Sequence, residues 1–215
     1  MHFCFCTKSY ISGMLKLERV IKMTKKAAVI VAEGCEEIET LTPVDVLRRL
    51  GLEVDLIGLT GKKVMGAHNI LLTCDKFLDV DLLDYEIVIL PGGYTGAKNL
   101  SESHVLKNLL NKRFLAKKWN AAMCAAPIAF GKFGLLDECH YTCYPSVYAE
   151  IKDDVTNGKY NGNDLVVVDN DKHILTSQGP ATALAYSFAI AEILGIDPTK
   201  LKADMLYDVL LHNKN

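Results

Sequence analysis

No apolar run in this chain approaches the roughly 20 residues needed to cross a bilayer, so the sequence offers no membrane-spanning segment. Charge of one sign is also lacking: 24 Lys and Arg against 26 Asp and Glu leave a formal charge of −2. The basic residues form no stripe with interleaved aromatics, so no nucleic-acid partner is expected. The seven cysteines are odd in number, and no two stand as Cys-x-x-Cys. That excludes a disulfide scaffold and a thioredoxin-like motif, and it suits a reducing, cytoplasmic setting. Internal repeats and low-complexity linkers are absent as well, which leaves no basis for a second domain.

What is present fits one globular domain with a sizeable core, since about half of the 215 residues are apolar. Residues 1–22 stand apart, with Lys8, Lys16, Arg19 and Lys22 against the single acid Glu18. They are read as an extension outside the fold, and an organelle-targeting segment is the alternative. Met23 is a plausible internal start, and residues 23–215 form the expected domain.

Strands and helices then alternate. Ala27–Ala32 is an apolar run of strand length, and Glu36–Leu50 places Ile38, Leu41, Val46, Leu47 and Leu50 at mostly helical spacing. Further strands are expected at Glu53–Leu59, Ile70–Thr73, Glu86–Leu90, Trp119–Met123, His140–Cys143, Leu165–Asp169 and Ile174–Ser177. Ser103 caps a helix with Val105, Leu106, Leu109 and Leu110 on one side. Helices are also expected over Pro127–Phe133, Ala181–Leu194 and from Pro198 towards Leu211. This alternation predicts a mostly parallel α/β sheet with helices on both faces, whose ligands bind beyond the carboxyl ends of the strands.

Cys124 falls at one such end, between an apolar strand and a helix. There its sulfur faces N–H groups without intrahelical partners, those of Ala125 and Ala126, which favour the thiolate. A buried cysteine serving as a small hydrophobe is the competing reading. Glu36 and Glu37 fit carboxylates that complement a helix dipole. Glu39, among Thr40, Leu41 and Pro43, is placed in a partly buried site where a carboxyl beside a thiolate keeps its proton. Gly92 and Gly93 follow Pro91 in a turn that either exposes backbone N–H groups to a substrate or simply reverses the chain. Gly179-Pro180 carries the same two readings. Cys139, His140 and Cys143 lie close together but lack a fourth ligand, so neither a metal nor an organic cofactor is expected.

Taken in order, Glu36-Glu37-Ile38-Glu39-Thr40, Pro43-Val44-Asp45-Val46, Leu90-Pro91-Gly92-Gly93, Gly96 to Ser103, Met123-Cys124-Ala125-Ala126-Pro127 and Leu175 to Pro180 resemble the Parkinson-disease-associated deglycase branch of the ThiJ/PfpI superfamily. The likeness runs from about Lys26 to Gly195. It implies a flavodoxin-like fold, a homodimer, and a nucleophilic Cys124 whose thiolate accepts a hydrogen bond from protonated Glu39. The activities it implies are glutathione-independent conversion of methylglyoxal to lactate and repair of early glycation adducts, with a small dicarbonyl as substrate. The alternative is a redox-sensing, chaperone-like protein that uses oxidation of Cys124. In the dicarbonyl reaction the amides of Gly93 and Ala125 would hold the oxyanion, with Gly92 and Tyr144 beside the substrate. The chain departs from its relatives at Tyr144, where many carry histidine before a proline, and at His68, where close relatives carry arginine. The Cys-His pair that protease chemistry needs is missing at the matching place.

Overall fold

A computed structural model describes residues 24–79 and 81–212. The extension expected over residues 1–22 lies outside the described residues. In chain order the elements are β1 (Lys26–Val31), α1 (Glu37–Arg49), β2 (Glu53–Gly58), β3 (Lys63–Met65), β4 (Leu71–Thr73), β5 (Lys76–Phe77) and β6 (Ile87–Leu90). Then come α2 (Tyr94–Glu102), α3 (His104–Leu115), β7 (Trp119–Met123), α4 (Pro127–Phe133), β8 (His140–Tyr141), α5 (Pro145–Ile151) and β9 (Lys159–Tyr160). The chain continues through β10 (Val166–Asp169), β11 (Ile174–Ser177), α6 (Ala183–Ile193), α7 (Thr199–Asp204) and α8 (Tyr207–His212).

Seven strands form the main sheet in the order β10-β11-β7-β6-β1-β2-β5, and every pairing is parallel except β10 with β11. Helices cover both faces. Because side chains alternate along a strand, β1 sends Ala28 and Ile30 into one core and Ala27, Val29 and Val31 into the other. The first core also takes Leu100 of α2, Leu106 and Leu110 of α3, and Phe130 of α4. The second takes Val44 and Leu47 of α1 with Tyr186 and Ile190 of α6. Strands buried on both faces read as continuous apolar runs, which is why β1 and β6 were legible. No helix among the described residues is long and apolar enough to cross a membrane.

The structure corrects several expectations. The Ile70–Thr73 strand is β4, which pairs antiparallel with β3 in a separate hairpin. The His140–Cys143 strand shrinks to β8, which pairs with β9 outside the main sheet. On α3, Leu106, Leu110 and Arg113 are buried, whereas Val105 is exposed and Leu109 only partly covered. The last helix breaks at Leu206, which has φ of 59°, and so becomes α7 and α8. Helix α2 was not anticipated because nothing local starts it: its N-cap is Gly93, with no capping side chain. Close packing holds it instead, since a Cβ at Gly96 would lie 2.8 Å from the Cys35 backbone.

Candidate active site

Strand β1 lies between β6 and β2, so the chain turns to opposite sides of the sheet from this point. Such a switch opens a crevice at the carboxyl ends of the strands. The segments leaving β1, β6 and β7 bring Glu39, Gly92, Gly93 and Cys124 together there.

Cys124 follows β7 directly and has φ of 58°, a left-handed conformation that strains a residue with a side chain. Two hydrogen bonds hold it there: its N–H donates to Ser177 O at 2.9 Å, and its carbonyl accepts from Tyr144 N at 2.9 Å. The sharp turn lifts the sulfur out of the sheet, as in a nucleophile elbow, and the residue is only half-buried. The backbone groups directed at the sulfur are the N–H groups of Gly93 and Ala125. This corrects the expected pair, because the Ala126 N–H is taken by Met123 O at 2.9 Å.

Glu39 is fully buried in the first turns of α1. Its Oε2 accepts from Gly92 N at 2.8 Å. Its Oε1 is buried without a nitrogen or oxygen donor, and the carboxyl interacts with the Cys124 thiol. Burial pushes its pKa up to about 7, with the charge of Glu36 adding to the rise, against the hydrogen bonds from Cys124 and Gly92. Burial, together with an ionised Glu39, pushes the Cys124 thiol up as well, while the Gly93 and Ala125 amides pull it down. Two buried anions cannot coexist here, so the pair shares a proton and titrates as a unit.

The two glycines play different parts. At Gly92 a Cβ would sit 2.6 Å from Glu39 Oε2 and 2.7 Å from Cys124 Cβ, so only glycine lets the acid and the thiol meet. Its N–H is committed to Glu39, which removes Gly92 from the expected oxyanion donors. Gly93 has φ of 81°, and a Cβ there would lie 2.3 Å from Gly34 O. Tyr144 is close to half exposed and caps α5. Its ring lies against Gly179, 3.4 Å from where a Cβ would stand. Tyr144, Gly179 and Pro180 line a cleft of about 470 Å³ with Pro145, Ser146 and Gln178. Sequence reasoning missed the roles of Ser177 and Tyr144 as backbone anchors of Cys124; only the Ser177 to Pro180 motif pointed nearby.

Cys139, His140 and Cys143 do not converge. Both cysteines are fully buried while His140 is exposed. The one candidate metal-ligand group among the described residues lies elsewhere.

Fold and site together define a flavodoxin-like α/β protein with a cysteine on a strained elbow beside a buried carboxyl. The chain belongs to the DJ-1/PfpI family, which it matches over residues 25–193. It is 36% identical over 176 residues to the Parkinson disease protein 7 homolog of Danio rerio, covering 79% of this chain and 89% of the relative. It is 35% identical over 176 residues to the glutathione-independent glyoxalase DJR-1.2 of Caenorhabditis elegans, again covering 79% and 89%. Among solved structures, Drosophila melanogaster DJ-1beta superposes with a TM-score of 0.78 at 32% identity, covering 87% of this chain and 98% of that one.

Proposed function

We propose that the chain is a cysteine-dependent, glutathione-independent glyoxalase for methylglyoxal-type 2-oxoaldehydes, and that the same chemistry acts on early glycation adducts. The observation that carries the reading is the meeting of Cys124, on its elbow, with the buried Glu39 carboxyl and the Gly93 and Ala125 N–H groups. The name of the Caenorhabditis elegans relative supports it.

In this reading Glu39 holds the shared proton and the Cys124 thiolate adds to the aldehyde carbon. The Gly93 and Ala125 amides receive the oxyanion, which takes up the proton from Glu39 to complete a hemithioacetal. The Glu39 carboxylate then removes the hydrogen on that carbon as a proton, giving an enediolate, and returns it to the neighbouring carbon while the hydroxyl proton passes to the former ketone oxygen. The former aldehyde carbon is oxidised to a thioester and the former ketone is reduced to an alcohol, so no outside oxidant enters. Water hydrolyses the thioester, releasing the 2-hydroxy acid and the thiol. Tyr144, whose backbone N–H holds the Cys124 carbonyl, stands beside the substrate in this reading.

A homodimer belongs to the same proposal. Ile38 and Leu41 of α1 are exposed, as are Met65, Ile70 and Leu71 of the β3–β4 hairpin. The hairpin is tied to the start of α1 through Glu37, which accepts from His68 N and Ile70 N. Exposed apolar surface of this kind marks an interaction face.

Lactate release from methylglyoxal without glutathione tests the reading. Many equivalents per chain are expected from the wild type and none from Cys124→Ala. No lactate from the wild type, with loss of the Cys124 thiol on peroxide treatment, would favour the redox-sensing alternative.

A further inference from the structure

Helices α1 and α6 pack against one another over the second core of the sheet. Each follows a strand of the same parallel set, β1 and β11, so both helices begin at the carboxyl end where Cys124 lies. Helix α6 is entered from the segment that anchors Cys124: Ser177 O accepts from the Cys124 N–H at 2.9 Å, and Ser177 Oγ meets Thr182 Oγ1 at 2.6 Å just before the helix starts. Tyr186 follows one turn later, fully buried in the core that also holds Val44 and Leu47 of α1. The first turn of α1 carries Glu39. The phenol and the acid therefore stand at the same end of the contact between the two helices.

Two polar atoms in this region are unpaired. The Tyr186 hydroxyl is buried with no hydrogen-bond partner among the described residues, and Glu39 Oε1 has none beyond the Cys124 thiol. A buried hydroxyl left unpaired is costly, and phenylalanine would fill the same space without it. Tyr186 stays a neutral phenol, because full burial pushes its pKa well above the usual tyrosine value and an ionised Glu39 adds to the rise. A hydroxyl without a fixed partner turns about its C–O bond, and its dipole follows the local field. Here the charge that acts on it is the Glu39 carboxylate. The other ionisable groups that act on Glu39 are the Cys124 thiol at the end of β7 and Glu36 on its own helix. Neither supplies a positive charge.

We propose that Tyr186 is a positioning residue for Glu39, its hydroxyl dipole turning to the carboxylate and easing release of the shared proton. Its part in turnover rests on the glyoxalase reading, in which Glu39 gives its proton to the oxyanion and then works as a carboxylate base. At that stage the Cys124 sulfur is bonded to carbon and has no hydrogen to offer Oε1. Gly92 N still donates to Oε2 at 2.8 Å, and the Tyr186 dipole supports the charge from the α6 side. A dipole acts strongly on a charge in so buried a place. Without the hydroxyl the charged form loses support, so Glu39 holds its proton to higher pH.

Tyr186→Phe in the full chain tests this, since it removes the hydroxyl and keeps the ring. The Glu39 titration is read by carbon-13 carboxyl NMR in a Cys124→Ser background, where coupling to the thiol is gone, and Glu39→Gln identifies the resonance. Its midpoint is expected about half a unit or more higher with Tyr186→Phe than with tyrosine. In the chain with Cys124 intact, the alkaline limb of kcat/KM for lactate formation, where the shared proton is lost, should move up with it. KM on the plateau should not change, because Tyr186 does not touch substrate. The melting temperature at pH 5, with Glu39 protonated, should be unchanged or higher, since the substitution removes an unpaired hydroxyl. An unmoved Glu39 titration would overturn the proposal. So would a lower melting temperature at pH 5, which would show a fixed partner for the hydroxyl. A wild type that forms no lactate would defeat the glyoxalase reading alone, and the carboxyl titration would still decide the role of Tyr186.

Discussion

Glu39 shows how burial sets chemistry at a single residue. Its carboxyl rises from 4.5 to about 7 because burial disfavours the charged form. The folded state therefore holds a proton that the unfolded state releases between those values. Stability from the Glu39–Cys124 pair is complete below the unfolded carboxyl's value and is lost as pH rises towards 7. Glu39→Gln removes that slope. In urea unfolding, the variant is expected to gain on the wild type steadily from pH 4.5 to 8. The same variant should lose about 100-fold or more in lactate turnover, because an amide cannot exchange the proton. Unchanged turnover would move the proton shuttle to another group.

Tyr144 is the second residue with a sharp expectation. It anchors Cys124 through its backbone, and its ring only walls the cleft. Tyr144→His should thus leave the pH–rate profile alone and weaken substrate binding. A new ionisation near pH 6.5 with about tenfold faster turnover would show that an imidazole there carries protons. The sequence marked Cys124, Glu39, Gly93 and Ala125. It did not separate Gly92, whose N–H is spent on Glu39, because that depends on α1 lying across the β6 turn.

Among the elements, the β7–α4 connection stores strain that the hydrogen bonds to Ser177 and Tyr144 sustain. Relief of the left-handed conformation gives a direct measure. Cys124→Gly should be more stable than Cys124→Ala by about 1 kcal/mol, the left-handed cost less the extra freedom of unfolded glycine. Equal stabilities would mean that the turn is unstrained. Helix α3 carries a different device on its buried face. Arg113 is fully buried; its guanidinium donates to Asn120 Oδ1 at 2.9 Å and to the carbonyls of Tyr85 at 2.8 Å and Trp119 at 2.7 Å, with Leu82 and Glu86 also engaged. It ties the entries of β6 and β7 to the helix behind them. Arg113→Met keeps the length but strands those acceptors, and should cost about 3 kcal/mol in urea unfolding. Apolar periodicity named Leu106 and Leu110 on this face. It passed over Arg113, because a charged side chain is ordinarily read as exposed.

For the molecule as a whole, the exposed apolar side chains of α1 and the β3–β4 hairpin govern assembly in the proposed dimer. A charge there should be tolerated by the monomer and rejected by a partner, since like charges meet across a two-fold interface. Ile38→Glu with Leu41→Glu is expected to halve the mass seen by light scattering while leaving the circular dichroism unchanged. A monomeric wild type would remove the dimer. Helical periodicity placed Ile38 and Leu41 in the same apolar series as Val46 and Leu47, yet they are 56% and 43% exposed. The spacing was right and the face was wrong, because one helix was read without knowing which side the sheet would occupy.

The sequence by itself determined the class of the fold and the strand that ends at Cys124. Fully buried parallel strands leave unbroken apolar runs, and tight turns at their ends leave Gly-Gly and Cys-Ala pairs, both of which are local signals. Tertiary structure alone decided the rest. It set the order of strands around β1, the left-handed backbone at Cys124, and the pairing of Glu39 with Gly92 and the sulfur. Each of these joins residues distant in the chain, and closing such contacts depends on the packing of whole elements, which no local pattern records.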